Sequence, residues 1–325
     1  MRVLERIDEI AAIGDRIGYS PEEDEAHRLA RGWMEEAGLA VSVDSAGNLV
    51  GRHPSGGDVW TGSHLDSVPN GGRFDGVLGA VAGIEAVERA GRGVAVVFRD
   101  EERGCKGSRA LEERPGAFLE LHIEQGPVLA DRGAPLGVVT SIAGIARGDL
   151  VTIGRPGHAG TVPMDAREDA LVRAAERILE VRDTAAAIEG SVATVGRVEV
   201  EPGFGNVIPG RVTLAVDARA PDAERFERLI ETLGLEPDYR AEPVAMDTGL
   251  RAALRDEIAR RTVPVVELPS GAGHDAGVLA ARGVPSAMLF VRSLNGGASH
   301  SPDELSSDED IALAVDVLTE TLRSL

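Results

Sequence analysis

Residues 58–102, DVWTGSHLDSVPNGGRFDGVLGAVAGIEAVERAGRGVAVVFRDEE, constrain the fold more than any other part of the sequence. A short apolar run enters a Gly-rich loop, residues 77–91 are apolar on most sides at helical spacing, and a second apolar run ends in acids. The order is strand, loop, helix, strand. Such a helix must be packed on most of its surface, and a crossover of this length joins parallel strands. Open α/β sheets place their sites at the carboxyl ends of such strands, which is where His64, Asp66, Asp75 and the Glu101-Glu102 doublet fall. ELHIEQG (120–126) reads as another strand end of the same kind.

The flanking segments extend this reading. An amphipathic helix pattern opens the chain, DEAHRLARGWMEEAGL (24–39) predicts a second helix, and VSVDSAGNLVGR (41–52) alternates like a hairpin turning at Ala46-Gly47-Asn48. From about Gly144 the grammar changes to strand GDLVTIG, helix DAREDALVRAAERILEVRD, strands SVATVGRVEVE and GRVTLAVDAR, and helix DAERFERLIETLG. That is the order of a small two-layer α+β domain. After MDTG (246–249) the α/β alternation resumes, with a Gly-rich turn SGAGHD and a final helix from Asp308. The expected organisation is a catalytic α/β domain over 1–142 and 247–325, with a smaller domain over 143–246 inserted into it.

Composition narrows the function. A formal charge of −20 with no Lys/Arg cluster excludes a polyanion as partner, because nucleic-acid binding needs a basic stripe to displace counterions. No apolar run is long enough to span a bilayer, and the N-terminal stretch lacks the apolar core of an export signal. The single Cys105 permits no intrachain disulfide, so the expectation is a cytoplasmic protein.

Five places combine metal-binding side chains with loop or strand-end context: His64 with Asp66, Asp75, the Glu101-Glu102 doublet, His122 with Glu124, and His300. His27 in a helix and His53 in a hairpin read as solvent-facing bystanders. A lone His is more often a satisfied structural residue than a ligand. Several such groups at the strand ends of one lobe are different, because burying them without a cation costs several kcal/mol each, as an order of magnitude. Imidazole and carboxylate ligands without thiolate suit Zn²⁺, Mn²⁺, Co²⁺ or Ni²⁺ in a catalytic site. Where one carboxylate bridges two ions, a water between them becomes a nucleophile at neutral pH, and an acid doublet supplies a general base: Glu102 ligates while Glu101 takes the proton.

GSHLDSVPNGGRFDGVLGAVAG, the DEE doublet, LELHIEQGPVL, GRPGHAGTVPMDAREDAL, GFGNVIPGRVTLAVDAR, PSGAGHDA and ASHSPDE follow one another as in the N-carbamoyl-L-amino-acid hydrolase, β-ureidopropionase and allantoate amidohydrolase family. The sequence resembles that family nearly end to end. It is a branch of the dinuclear-metal aminoacylase and carboxypeptidase superfamily. The resemblance implies a zinc-peptidase-like catalytic domain, a mixed sheet flanked by helices, carrying an inserted ferredoxin-like lid and dimerisation domain. It implies two divalent ions, with His64, Asp75 and His122 on one, Asp75, Glu102 and His300 on the other, and Asp75 bridging. Asp66 would hold the free ring nitrogen of His64, and Glu101 would be the base. His158 would polarise the tetrahedral intermediate, Asn206 and Arg219 would hold the substrate's carboxylate, Gln125 would touch substrate, and Gly271 and Gly273 would offer backbone N–H groups to an anion. His274 reads equally well as a structural helix N-terminal residue. A homodimer is implied, with the inserted domain presenting its groups to the partner's metal centre.

The sequence departs from the family between Glu102 and His122, where only RGCKGSRALEERPGAFLEL connects residues that relatives join by a longer insertion. The metal chemistry is expected to be intact and the substrate pocket altered. Cys105 has no His/Asn pairing that would make it a nucleophile. The expected activity is hydrolysis of a linear amide or ureido C–N bond next to a carboxylate, in an N-carbamoyl-L-amino acid, allantoate or a similar ureido acid. The rivals are an N-acyl-amino-acid amidohydrolase or dipeptidase on the same scaffold, and a non-catalytic binding protein.

Overall fold

The computed structural model describes residues 2–325. The elements run α1 (Arg2–Ala11), α2 (Pro21–Glu36), β1 (Ala40–Val43), β2 (Leu49–Arg52), β3 (Val59–His64), α3 (Val77–Ala90), β4 (Val94–Phe98), α4 (Lys106–Ala110), β5 (Ala117–Ile123), α5 (Val128–Asp131) and β6 (Leu136–Ile142). They continue with β7 (Gly144–Ile153), β8 (Gly157–His158), α6 (Ala170–Ala186), β9 (Val192–Glu201), β10 (Val207–Ile208), β11 (Arg211–Ala220), α7 (Ala223–Leu233), β12 (Tyr239–Ala241) and β13 (Val244–Ala245). The chain closes with α8 (Thr248–Ala259), β14 (Val266–Ser270), α9 (Asp275–Ala281), β15 (Ser286–Val291) and α10 (Asp308–Ser324).

Contacts divide the chain into two compact units, one reaching to Thr140 and resuming over Ala245–Leu325, the other Ser141–Val244. In the first, a mixed sheet runs β1-β2-β4-β3-β5-β15-β6-β13, with β14 also pairing β6. β3 is parallel to β4 and to β5, and β5 to β15, so the carboxyl ends of four neighbouring strands share one edge. α3 is apolar on nearly all sides because every residue from Val77 to Val87 except Glu85 is buried. It packs so closely on the sheet that a Cβ at Gly79 would lie 2.1 Å from the Leu121 carbonyl oxygen. Leu119, Leu121, Ile123, Ala287, Leu289 and Val291 join α3 and α10 in one core cluster, which holds the strand ends rigidly.

α2 begins at Ser20, whose side chain accepts the Glu23 N–H. Its buried stripe of Glu23, Ala26, His27, Ala30, Trp33 and Met34 corrects the reading of His27 as solvent-facing: the imidazole lies on the inner face, 5% exposed. The stripe's spacing includes position 27, and only the polarity of the residue argued against burial. His53 follows the end of β2 and is half-buried, its Nδ1 accepting the Ser55 N–H.

The second unit is an antiparallel sheet, β12-β7-β11-β9, with α6 and α7 burying Ala174, Val181, Phe226, Leu229 and Leu233 against it. α6 starts at Ala170, with Asp169 capping Leu171 and Val172 N–H, rather than at the Asp165 that helical spacing suggests; a 3₁₀ turn over Met164–Ala166 precedes it.

Candidate metal centre

The shared strand edge gathers acids and imidazoles. His64 ends β3, His122 lies one residue from the end of β5, Glu101 and Glu102 follow β4, and Asp75 stands two residues before α3. The loop between β15 and α10 brings His300. Asp75 faces two groups with its two oxygens. Its Oδ1 lies 3.1 Å from His122 Nε2 and 3.7 Å from His64 Nε2, and its Oδ2 lies 3.3 Å from His300 Nε2, which is 3.4 Å from Glu102 Oε2. His64, Asp75 and His122 thus form one set that could hold a metal ion, and Asp75, Glu102 and His300 a second.

A divalent ion with bonds of about 2.0–2.2 Å in tetrahedral geometry separates its ligand atoms by roughly 3.3–3.6 Å, close to these spacings. Glu102 Oε1 is buried with no hydrogen-bond partner among the described residues, an orphaned acceptor that a cation would satisfy. The residues therefore fit a metal.

Neighbouring groups fix the orientations. His122 Nδ1 donates to the Ile123 carbonyl at 2.9 Å, which turns its Nε2 toward Asp75. Asp66 Oδ1 lies 3.2 Å from His64 Nδ1 and accepts the Glu101 N–H at 3.0 Å, while its Oδ2 accepts the Glu102 N–H at 3.0 Å. One buried carboxylate thus orients a ligand imidazole and the acid doublet together. Behind it the buried Arg16 donates from Nε to the Leu65 carbonyl at 2.7 Å and from its N–H to Ser67 Oγ at 3.0 Å, pinning the loop. A Cβ at Gly76 (φ +65°) would lie 2.4 Å from the His64 ring, so only glycine lets the loop close around that ligand. Asp100, Gln125 and His300 all adopt left-handed backbone, as strained positions at functional sites often do.

Electrostatics are correspondingly displaced. Burial opposes the charged form of His122, yet Asp75 lifts its pKa to about 9. Asp75 and Glu102 lift that of His300 to about 10. Burial raises Glu101 to about 7, with Glu102 and Asp75 adding to the effect and His64 opposing it, a value suited to a general base at neutral pH. Glu101 Oε2 lies 3.7 Å from His64 Nε2.

Gln125 Nε2 donates to Asp75 Oδ2 at 2.8 Å and to Ser299 Oγ at 3.0 Å, while its Oε1 is buried without a hydrogen-bond partner among the described residues. Gly271 and Gly273 are exposed in the turn before α9, and a Cβ on either would meet nothing within 4 Å, so packing is not what requires glycine there. His274 is the N-cap residue of α9, buried, with Nε2 2.8 Å from Ser270 Oγ and its ring edge-on to His122. Its role is structural on this geometry. Cys105 Sγ lies 3.4 Å from Glu101 Oε1, and burial followed by the Glu101 charge pushes its thiol well up, the opposite of what a nucleophile needs.

His158, Asn206 and Arg219 belong to the second unit. His158 and Asn206 are exposed there, and His158 Nδ1 accepts the Gly160 N–H at 3.0 Å, which leaves Nε2–H as a donor. The Asn206 carbonyl accepts the Ala159 N–H at 3.0 Å, joining the two loops. Arg219, near the end of β11, is bound bidentately by Asp217, with Nε to Oδ1 at 2.7 Å and Nη2 to Oδ2 at 3.0 Å.

Sequence reading gave no role to Arg16, Ser299 or Glu304, which hold the ligand loops. The signal for Glu304 is the second acid of the Asp303-Glu304 pair that closes the ASHSPDE segment.

A mixed α/β sheet with clustered imidazole and carboxylate donors at its strand ends defines a metallohydrolase scaffold. The sequence profile of peptidase family M20/M25/M40 matches residues 60–324, and the chain belongs to that metal-dependent family. It is 35% identical to the N-carbamoyl-L-amino acid amidohydrolase of Geobacillus stearothermophilus over 406 aligned residues, covering 100% of this chain and 98% of the relative. It is 32% identical to the allantoate deiminase of Arabidopsis thaliana, covering 99% and 80%. Among solved structures, a hydantoinase/carbamoylase family amidase from Burkholderia multivorans superposes with a TM-score of 0.89 at 29% identity, covering 99% and 97%.

Proposed function

We propose that this chain is a hydrolase that uses two divalent ions, Zn²⁺, Mn²⁺, Co²⁺ or Ni²⁺, to cleave the linear C–N bond of an N-carbamoyl-L-amino acid, allantoate or a related ureido acid. The observation that carries this reading is Asp75 turning one oxygen to His64 and His122 and the other to His300, with Glu101 beside them. The relatives' names supply the substrate class.

His64, Asp75, Glu102, His122 and His300 would hold the ions, which when bound would polarise the scissile carbonyl and acidify a water. Glu101, poised near neutrality, accepts the water's proton as its oxygen bonds to the carbonyl carbon, and returns a proton to the leaving nitrogen as the C–N bond breaks. Asp66 keeps His64 and the Glu101-Glu102 backbone in register through both transfers. The proposal includes a homodimer in which His158 of the partner subunit stabilises the oxyanion, and Asn206 and Arg219 serve the substrate's carboxylate. Support for these roles is the resemblance of their motifs, the free donor on His158 and the planar fork of Arg219. Gln125, Gly271 and Gly273 complete the substrate contacts, and the protein is cytoplasmic.

The test is product release from a panel of N-carbamoyl, ureido, N-acyl and dipeptide acids with each of the four metals added. Turnover confined to the carbamoyl and ureido acids supports the reading. Turnover confined to N-acyl acids or dipeptides replaces it with the acylase or dipeptidase alternative.

A further inference from the structure

The loop that carries His300 also carries Glu304, a carboxylate 4% exposed that the chemistry above leaves unused. Its Oε1 accepts the N–H of Phe74 at 2.6 Å and the N–H of Asp75 at 3.0 Å, across more than two hundred residues of sequence. Its Oε2 lies 3.5 Å from Ser299 Oγ, and that hydroxyl is 3.4 Å from Asp75 Oδ2 and accepts from Gln125 Nε2. A Cβ on Gly72 would lie 2.2 Å from the Glu304 carboxyl carbon, so the carboxylate is seated directly against the loop that ends in Asp75.

Glu304 has a firm base. The Leu294 N–H donates to the Leu305 carbonyl at 2.7 Å, Asn295 Nδ2 to the Asp303 carbonyl at 2.8 Å, and Ser306 Oγ to the Arg292 carbonyl at 2.9 Å. The loop therefore closes on itself at the end of β15. Burying one carboxylate beside another is costly, and apolar packing here would be cheaper. What the acid supplies is a pair of charge-assisted bonds to consecutive backbone N–H groups, which fix position more firmly than neutral contacts do.

The supports of the two ligand sets differ. His64 and His122 stand on strands of the sheet, whereas Asp75 and His300 both stand on loops. We propose that Glu304 is a positioning residue that clamps the Asp75 loop to the His300 loop and sets the spacing on which the Asp75–Glu102–His300 site depends. The proposal rests on the dinuclear reading and adds which residue makes its second site.

The experiment is titration of chelator-stripped protein with Mn²⁺, followed by calorimetry and by the paramagnetic resonance of free Mn²⁺, with circular dichroism on each variant. Wild type is expected to take two ions. Glu304→Ala is expected to keep the tighter ion and bind the weaker one about 10–100-fold less well, the range seen when a ligand's outer partner is removed. Glu304→Gln keeps an oxygen for the two N–H groups and is expected to stay within about threefold of wild type on the same scale. Gly72→Ala displaces the carboxylate without removing it and is expected to follow Glu304→Ala.

Two ions bound with wild-type affinity by Glu304→Ala overturn the proposal alone. Parallel loss of both ions with loss of the folded spectrum in both Glu304→Ala and Gly72→Ala also overturns it, since the residue would then serve folding only. A wild-type chain that takes a single ion overturns the dinuclear reading and this proposal with it.

Discussion

Asp75 Oδ1 lies 3.1 Å from His122 Nε2. The same carboxylate turns its other oxygen to His300, so a change at Asp75 is felt by both donor sets. Asp75→Asn leaves one oxygen and puts an NH₂ group, a donor that cannot ligate a cation, in place of the other. The expected outcome is loss of both ions by elemental analysis and a fall in kcat of at least about a thousandfold, since the nucleophile and its electrophile go together. Retention of two ions per chain in this variant would refute the bridging assignment. Chelation of wild type is expected to lower Tm reversibly, because ligand binding to the native state alone contributes about 4 kcal/mol at a thousand times Kd.

As the proposed base, Glu101 is expected to set the pH dependence. Burial, reinforced by Glu102 and Asp75, raises its pKa to about 7, so its base form is gained as pH rises and lost as pH falls. With cations bound nearby the ionised form is favoured, which places the acid limb of kcat/KM at or below about 7. Glu101→Gln is expected to bind metal normally and to lose about two to four orders of magnitude in kcat. A variant with full kcat, or a wild-type profile flat from pH 5 to 8, would remove Glu101 from the role.

Asp66 joins three elements: the His64 ring, the Glu101 N–H and the Glu102 N–H. Asp66→Asn keeps the shape but presents an NH₂ group to a backbone N–H or to a ring N–H that requires an acceptor, leaving a buried donor unsatisfied. Metal affinity is expected to fall about 10–100-fold. Equal metal affinity in titrations of the variant and wild type would show that the backbone alone orients His64.

The candidate ligand positions stood out because imidazoles and carboxylates beside glycines at strand ends have few alternative explanations, and the structure gathers them into two groups that could hold a metal ion. The strand-loop-helix-strand unit was legible from an α3 that no solvent-facing helix could match. What escaped was whatever depends on distant backbone. Arg16 binds carbonyls near residue 65, and Glu304 binds N–H groups near residue 75; neither leaves a periodic trace. The strand β6 lies in a stretch, LGVVTSI, where an apolar run between glycine-bearing segments gave no decisive period. His27 was misread for the opposite reason: the helical stripe that encloses it was visible, and its polarity was given more weight than its position.

That buried His27 carries a stability prediction. Burial first, and the neighbouring Arg99 second, lower its pKa to about 3, so the native state keeps it neutral across the range in which the unfolded chain protonates it near 6.5. A group with a depressed native pKa contributes its full stability above the unfolded value and loses it as pH falls toward the native value. The window is therefore about pH 6.5 down to 3, and its full depth is on the order of 4–5 kcal/mol at about 1.4 kcal/mol per pH unit. Asp66, the Phe98 backbone and Asp24 offset part of that penalty, and Glu23 Oε1 lies 4.0 Å from Nε2. His27→Gln removes the titration, whatever it does to packing. Urea unfolding at pH 7, 5.5 and 4 is expected to show a smaller loss of stability on acidification in the variant than in wild type, with the other groups contributing equally to both. Identical slopes for the two proteins would mean that His27 is protonated in the native state.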